Sequence, residues 1–470
     1  MKTILLALIS LFLFPLYTQA QSTLNFPHVL APADFATAGF AVVNPGASDA
    51  TATFTLFAVD GSVLGTATQT VRARGQIAKL ATDLFAPKAS GWVQLTSTTT
   101  GLQGFSFAGD FVTFADGAEP APSASELVLP IVTPSSEIHV ANTGSVDVTV
   151  VIELLGGDGL DVDLPFPQLI KANGFFKANT AAIFPKADLT QATHMRVKCG
   201  CGANPSVAFA AVLLARDFII APSWSFLNAR PASTTSQTLF FPHVVDGPLG
   251  NTNWKSILSV TNLSASSPID DVAIVFTADS GTTQTVHRPI QPNGTVRETA
   301  QQMFGFSGYQ SGWVSMSSAS VPITGYIAYA ETVGAGVTVV PGQSDAQTNL
   351  LFAHIADLPP WWTGLALLNP SGVQANVQIF AMNPDGSLVG GAANVTTARF
   401  SLNPSSKTAR LLSEFIPATQ NRTSDGGFIF VLSDQPLFGL ELFFSRNTQI
   451  LANVPAGKIQ AGSYVPPPPR

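Results

Sequence analysis

Apolar and polar positions alternate along this chain in short runs, and one order of runs and breaks returns four times. Strict alternation turns one face of an extended segment to a core and the other to water, so each run predicts a strand of a half-buried sheet. The four copies open alike: Leu24-Asn25-Phe26-Pro27-His28-Val29, Leu127-Val128-Leu129-Pro130-Ile131-Val132, Leu239-Phe240-Phe241-Pro242-His243-Val244 and Leu350-Leu351-Phe352-Ala353-His354-Ile355. A second strand follows in each and ends on Asn44, Asn142, Asn262 or Asn369. Asparagine bonds its own backbone and tolerates left-handed geometry, which suits a strand entering a turn.

A third strand is predicted over Ala52–Val59, Val148–Leu155, Val272–Ala278 and Val377–Met382. These run into Asp60-Gly61, Asp158-Gly159, Asp279-Ser280-Gly281 and Asp385-Gly386, strong hairpin signals after alternating apolar residues. A short amphipathic piece ending on Phe85, Phe184, Phe304 or Phe415 predicts one or two turns of helix at a corner. The closing hairpin is clearest as Gly91-Trp92-Val93 and Gly312-Trp313-Val314. It diverges to Thr193-His194-Met195 and Gly427-Phe428-Ile429. A final apolar strand, such as Gly104–Ala108 or Gly325–Ala330, completes the copy.

About seven short strands per hundred residues, with turns between them, predict a two-sheet sandwich. A propeller blade of about forty to fifty residues is too short for this period. The expected fold is therefore all-β, four tandem immunoglobulin-like β-sandwich domains over 21–118, 119–232, 233–345 and 346–460. The joints between them are small, polar and dotted with proline, as in surface linkers. The Phe-Pro-His opening, the asparagine after the second strand and the Gly-Trp-Val near the end resemble tandem sandwich repeats of uncharacterised exported bacterial proteins. Copy two departs most, lacking both the histidine and the tryptophan. The resemblance implies an immunoglobulin-like sandwich and no established activity.

Charge is sparse at 11%, and the net charge of −7 becomes −8 without Lys2, the one charged residue of the first twenty. A nucleic-acid partner needs a dense basic face, so that class is set aside. Lys2, the apolar run Ile4–Leu16 and Thr18-Gln19-Ala20 before Gln21 form a signal-peptide pattern over 1–20, too short for a transmembrane helix. Beyond Gln21 no stretch reaches the length of a membrane span, so the expectation is a secreted or cell-surface protein. The tail 461–470 is proline-rich and expected to be extended.

Candidate chemistry is thin. His28, His243 and His354 share one repeat position in different copies, which favours a strand histidine whose ring nitrogen satisfies a neighbouring backbone group over a metal ligand, since ligands come in clusters. Cys199 and Cys201 could serve redox or metal chemistry, but two thiolates fall short of a structural zinc site. In an oxidising compartment a local disulfide is the plainer reading. Asp158, Asp161 and Asp163 resemble a calcium loop but coincide with the repeat's hairpin turn. Asp110, Asp217 and Glu331 recur at the end of the last strand of three copies and read as a structural hydrogen bond or a solvated rim. No nucleophile with its base, no paired catalytic carboxylates and no phosphate loop stands out, so no enzyme activity and no cofactor are expected.

Trp361 and Trp362, after Pro359-Pro360, and Trp254 at a similar place in copy three, are the binding candidates, as flat rings on loops at a sandwich end. The sequence thus points to a non-enzymatic spacer, adhesin or matrix component with a protein or glycan partner at the cell surface. The alternative is an array of carbohydrate-binding modules using those tryptophans.

Overall fold

The computed structural model describes residues 22–459 except 87–88, 112–113, 202–206, 216–222, 333–335, 392–396, 421, 423–425 and 446–449. The expected signal segment, the proline-rich tail and Asp217 lie outside the described residues.

The fold is all-β, and each copy is a sandwich of two antiparallel sheets. In unit one the strands are Ser22–Leu30, Gly39–Val43, Ala50–Phe57, Val63–Val71, Gln76–Leu80, Gly91–Ser97, Gln103–Gly109 and Ala115–Ala118. The first sheet has the order first, sixth, third, fourth, and the second has the order fifth, second, seventh, eighth. Units two and three repeat both orders. In unit four one long strand, Phe428–Ser445, supplies both the sixth and the seventh positions. Relative to the usual immunoglobulin wiring, the first and seventh strands have exchanged sheets. The first pairs with the sixth, and the seventh pairs with the second.

The turn residues act as their chemistry dictates. Asn44 and Asn142 donate their amides to backbone carbonyls across the loop, and so do Asn262 and Asn369. Asn142 reaches Val146 at 2.8 Å and Lys171 at 3.0 Å. Each of these buried side chains also accepts the N–H two residues on, as Asn142 does from Gly144 at 3.0 Å. Gly61, Gly159, Gly281 and Gly386 all have positive φ, near 80°, as the Asp-Gly turns require. One helical turn follows the fifth strand in every unit: Ala81–Leu84, Thr180–Ile183, Ala300–Phe304 and Leu412–Phe415.

Two features were not anticipated. The first is an eighth strand after the last expected one: Ala115–Ala118, Ser225–Asn228, Gly336–Pro341 and Leu451–Lys458. The chain then returns beneath its own first strand, Ala121 opposite Asn25, Pro231 opposite Leu127 and Gln343 opposite Phe240. The joints are thus hydrogen-bonded parts of the sandwiches rather than free linkers.

The second is closure. The core of unit one takes in Val212, Leu214 and Phe226 of unit two, and that of unit two takes in Ile257, Tyr326 and Val339 of unit three. Unit three's core includes Ala366, Leu440 and Leu451 of unit four, and unit four's includes Ala41, Val43 and Phe105 of unit one. The four sandwiches therefore form a ring, the second sheet of each packing on its predecessor. That sheet is buried on both faces, which is why Phe209–Ala215 is wholly apolar and Ile323–Glu331 is buried at every residue but its last.

The four eighth strands meet along the ring's axis, each touching the next. There the carboxylate of Asp116, fully buried, accepts from donors of all four units. These are the N–H of Gly117 (2.8 Å), the hydroxyl of Ser225, the N–H of Phe226 (3.0 Å), the hydroxyl of Thr338 (3.0 Å) and the N–H of Asn453 (3.1 Å). Ser225 in turn accepts the N–H of Val339 at 2.9 Å, which commits its proton to Asp116. Burial pushes the Asp116 carboxyl up to about 7, against the downward pull of its donors.

Candidate functional site

The interfaces between units carry the repeated histidines and the tryptophans singled out from the sequence. His28 lies between units one and two, stacked on His139 at 5.1 Å between ring centroids. His139 accepts the N–H of Val29 on Nδ1 (2.9 Å) and bonds Glu137 through Nε2 (2.7 Å). Burial raises the Glu137 carboxyl, but bonds to His139 and Lys177 outweigh it and hold it at about 2. His354 lies between units four and one, parallel to Phe105 of unit one. His243 lies between units three and four, and its carbonyl accepts the hydroxyl of Tyr329. The Nδ1 atoms of His28, His243 and His354 are buried without a hydrogen-bond partner, so the shared position serves packing between units. The expected bond from ring to backbone is absent at those atoms.

Burial holds all of these rings neutral. It pushes His28 well below the usual range, helped by Lys177 and by the repulsion that charging both His28 and His139 would bring, and brings His243 down to about 3 and His354 to about 4. His194 accompanies them at the interface of units two and three. Its Nδ1 lies 2.9 Å from the hydroxyl of Thr193 and 3.1 Å from that of Thr295. Burial lowers its pKa to about 3.

Two of the grooves between units hold candidate residues. That between units three and four encloses about 620 Å³. Its floor is apolar, from Tyr329, Leu440, Leu442, Phe444 and Leu451, and Trp254 forms part of the wall. At one side stands Lys407, its side chain 3% exposed, paired with the half-exposed Asp279 at 2.9 Å and 3.2 Å from the hydroxyl of Ser311. Burial lowers the Lys407 pKa while Asp279 pulls the other way. Arg410 completes the polar edge. The groove between units four and one is smaller, about 300 Å³, and is lined by His354, Trp361, Phe443 and Phe107 among others.

The three candidate tryptophans are strand residues rather than loop residues: Trp254 within Thr252–Asn262, Trp361 and Trp362 at the start of Trp361–Asn369. Alternation sends the adjacent pair to opposite faces of one sheet. Trp361 packs edge-on against Phe443 in the smaller groove, while Trp362 stacks on Phe444, which lines the larger one. All three are partly buried. The indole N–H of Trp254 is bonded to the Thr252 hydroxyl at 3.1 Å, leaving its ring face as the usable surface.

The remaining candidates are engaged locally or stand apart. Cys199 and Cys201 are joined to each other at the end of the sixth strand of unit two, their Cα atoms 5.2 Å apart. Asp158 and Asp163 accept backbone N–H groups of Leu160 and Leu164, and both lie on the exposed turn with Asp161. Asp110 accepts from Phe114, and Glu331 from Asn253, each tying off a turn. Among the described residues no group of three or more histidine, cysteine or acidic side chains is placed to hold a metal. Among them, too, no helix is long and apolar enough to cross a membrane.

Lys407, Ser311 and Phe444 were missed by sequence reasoning. Their significance arises from the contact of units three and four, and a repeat alignment reads each unit alone.

No family model matches this chain, and no curated protein does. Among solved structures, a weak likeness is to the Sulfolobus turreted icosahedral virus structure, 12% identical over 72% of this chain and 89% of that one, at a TM-score of 0.14. Another is to a tetra-tandem repeat from the extending region of a large adhesion protein, 12% identical over 92% of this chain and 98% of that one, at a TM-score of 0.10. At these scores neither carries an argument about fold or function.

Proposed function

We propose that this chain is exported and acts without catalysis, as a rigid four-unit body at the cell surface or outside the cell, serving adhesion or matrix contact. The observation that carries this reading is how the chain spends its few reactive groups. His139 is fixed between Val29 and Glu137, His194 between two threonine hydroxyls, and Asp116 among donors from four units. Each such group joins units, and a catalytic group must instead face a substrate. Ring closure favours a compact platform over an extended spacer.

The first test is fractionation of the native host. Recovery outside the cytoplasm is expected, and retention of the whole chain in a cytoplasmic complex defeats the export reading. Turnover of ester, peptide or glycoside substrates by the purified protein defeats the non-enzyme reading.

A second reading, glycan binding, is favoured by Trp254 in the wall of the larger groove, because an indole face can stack on a sugar ring. Glycan-array binding lost on Trp254→Ala supports it, and silence across the array counts against it.

A further inference from the structure

The edge of a sheet presents a row of unpaired backbone N–H and C=O groups, and folded proteins guard it with charge, proline or a cover. The fourth strand is an outer edge of the first sheet in every unit. Three of the four are guarded. Phe166–Ile170 holds Pro167, Thr283–Ile290 holds His287, Arg288 and Pro289, and Thr397–Leu402 holds Arg399. The fifth strands, which edge the second sheets, hold Lys79, Lys177, Arg297 with Glu298, and Lys407 with Arg410. The fourth strand of unit one, Val63–Val71, is the longest of its kind at nine residues and has neither charge nor proline. Among the described residues it pairs on one side only, with Ala50–Phe57.

The side chains on this strand suit a partner strand. Val63 and Leu64 are exposed apolar groups. On the outer face Thr51, Thr53 and Thr55 stand opposite Thr70, Thr68 and Thr66, six β-branched side chains with no charge to desolvate. The strand is also complementary to itself. Antiparallel pairing about Ala67 sets Thr66 of one copy opposite Thr68 of the other, and Leu64 opposite Thr70. The two ends carry opposite charge, with exposed Asp60 before the strand and exposed Arg72 after it. Antiparallel pairing brings Asp60 of one copy toward Arg72 of the other, whereas parallel pairing sets like charge beside like.

We propose that Val63–Val71 is a homotypic contact, pairing antiparallel with the same strand of a second copy of this chain. Two four-stranded sheets then become one of eight about a two-fold axis. This names a partner for the matrix-contact reading and rests on that reading for its setting. Association is measured directly, so it can fail while export and the lack of catalysis stand. One pair of strands buries little surface, so the dimer is weak and the single ring prevails in dilute solution.

The experiment is sedimentation equilibrium of the mature protein over a rising concentration series, in which a monomer–dimer equilibrium is expected. Thr68→Lys, which sets a charge in the middle of the open edge, is expected to weaken the dimer roughly tenfold or more and to leave the thermal transition unaltered. Thr285→Lys, the same change on the guarded fourth strand of unit three, is expected to leave association unchanged. Register is read by mixing Thr66→Cys protein with Thr68→Cys protein under mild oxidation. These are expected to cross-link, because opposite residues of paired strands lie side by side, while Thr53→Cys, one strand further in, gives no cross-link.

A protein that stays monomeric throughout the series overturns the proposal, and so does a dimer that Thr68→Lys leaves intact. A dimer weakened equally by Thr285→Lys reports net charge and overturns the assignment to this edge. A dimer in which the Thr66→Cys and Thr68→Cys pair does not cross-link, or cross-links no better than Thr53→Cys, overturns the antiparallel register.

Discussion

Asp116 sits in a segment, Ala115-Asp116-Gly117-Ala118, with nothing in its composition to mark it, yet it receives a hydrogen bond from each of the four units. A carboxylate only accepts, which suits a site that only donates. Asp116→Asn keeps the size but turns an amide N–H₂ toward some of those donors, leaving several unsatisfied in the interior. Unfolding in urea is expected to show a loss of about 2–5 kcal/mol, whereas Asp163→Asn on the exposed turn changes nothing measurable. The interface histidines make a second prediction. His194, His243 and His354 have folded pKa values near 3, 3 and 4, below the unfolded value of 6.5. Their contribution to stability is therefore complete above pH 6.5 and is lost as the pH falls through the folded values. Asp116 has the opposite sign, since its raised pKa contributes fully below 3.8 and is lost as the pH rises through about 7. Between pH 6.5 and 4 the histidines make stability fall on acidification, while Asp116 and the raised carboxyls of Glu441, Asp357 and Asp246 act against them. His243→Leu should reduce that slope by up to about 1.4 kcal/mol per pH unit. The repeated histidine was legible in the sequence; its reason, contact with the neighbouring unit, was not.

At the scale of elements the sequence was most informative, because strands and turns are specified by nearby residues. The asparagine anchors, the Asp-Gly turns and the single helical turns all fall where alternation and turn chemistry place them. What local reading misses is that equivalent turns meet different surroundings. A Cβ on Gly61 would lie 1.8 Å from the carbonyl oxygen of Ala172, because this turn of unit one docks against a turn of unit two. Gly159 meets Pro292 of unit three in the same way, and Gly386 meets Arg74 of unit one. Gly281 has a similar φ of 86° but nothing within 4 Å. Gly281→Ala is thus expected to cost only the left-handed strain, about 1–2 kcal/mol. Gly61→Ala should cost clearly more, since two units must also separate, and thermal denaturation of the two variants side by side reads the difference. The eighth strands escaped notice for a related reason. Two of them have only four residues, and their partners along the axis come from other copies.

For the whole molecule, the question left open by four similar sequences is why they close in one order. One repeat position answers much of it. The residue at the start of the fifth strand, Gln76, Phe175, Thr295 or Lys407, faces the preceding unit and is a different chemical type in each case. Gln76 bonds the backbone of Ala353 and Gly427 in unit four, and Phe175 packs with Trp92 and Val29 of unit one. Thr295 meets His194 of unit two, and Lys407 meets Asp279 and Ser311 of unit three. Four mismatched contacts discriminate against wrong neighbours where four identical ones would not. A chain read one copy at a time predicts beads joined by linkers, because the residues that close the ring look like ordinary variation between diverged repeats. Scattering in solution separates the two arrangements. A compact body of this length has a radius of gyration of about 22 Å, and four sandwiches in a row exceed that well beyond error. The ring predicts the compact value together with a single cooperative unfolding transition, because removing any unit strips apolar surface from two others. Gln76→Ala, which cuts unit one from unit four at the closing joint, should lower that transition while leaving the radius unchanged. An extended radius in the unsubstituted protein would mean that the shared cores and the Asp116 hub are not formed.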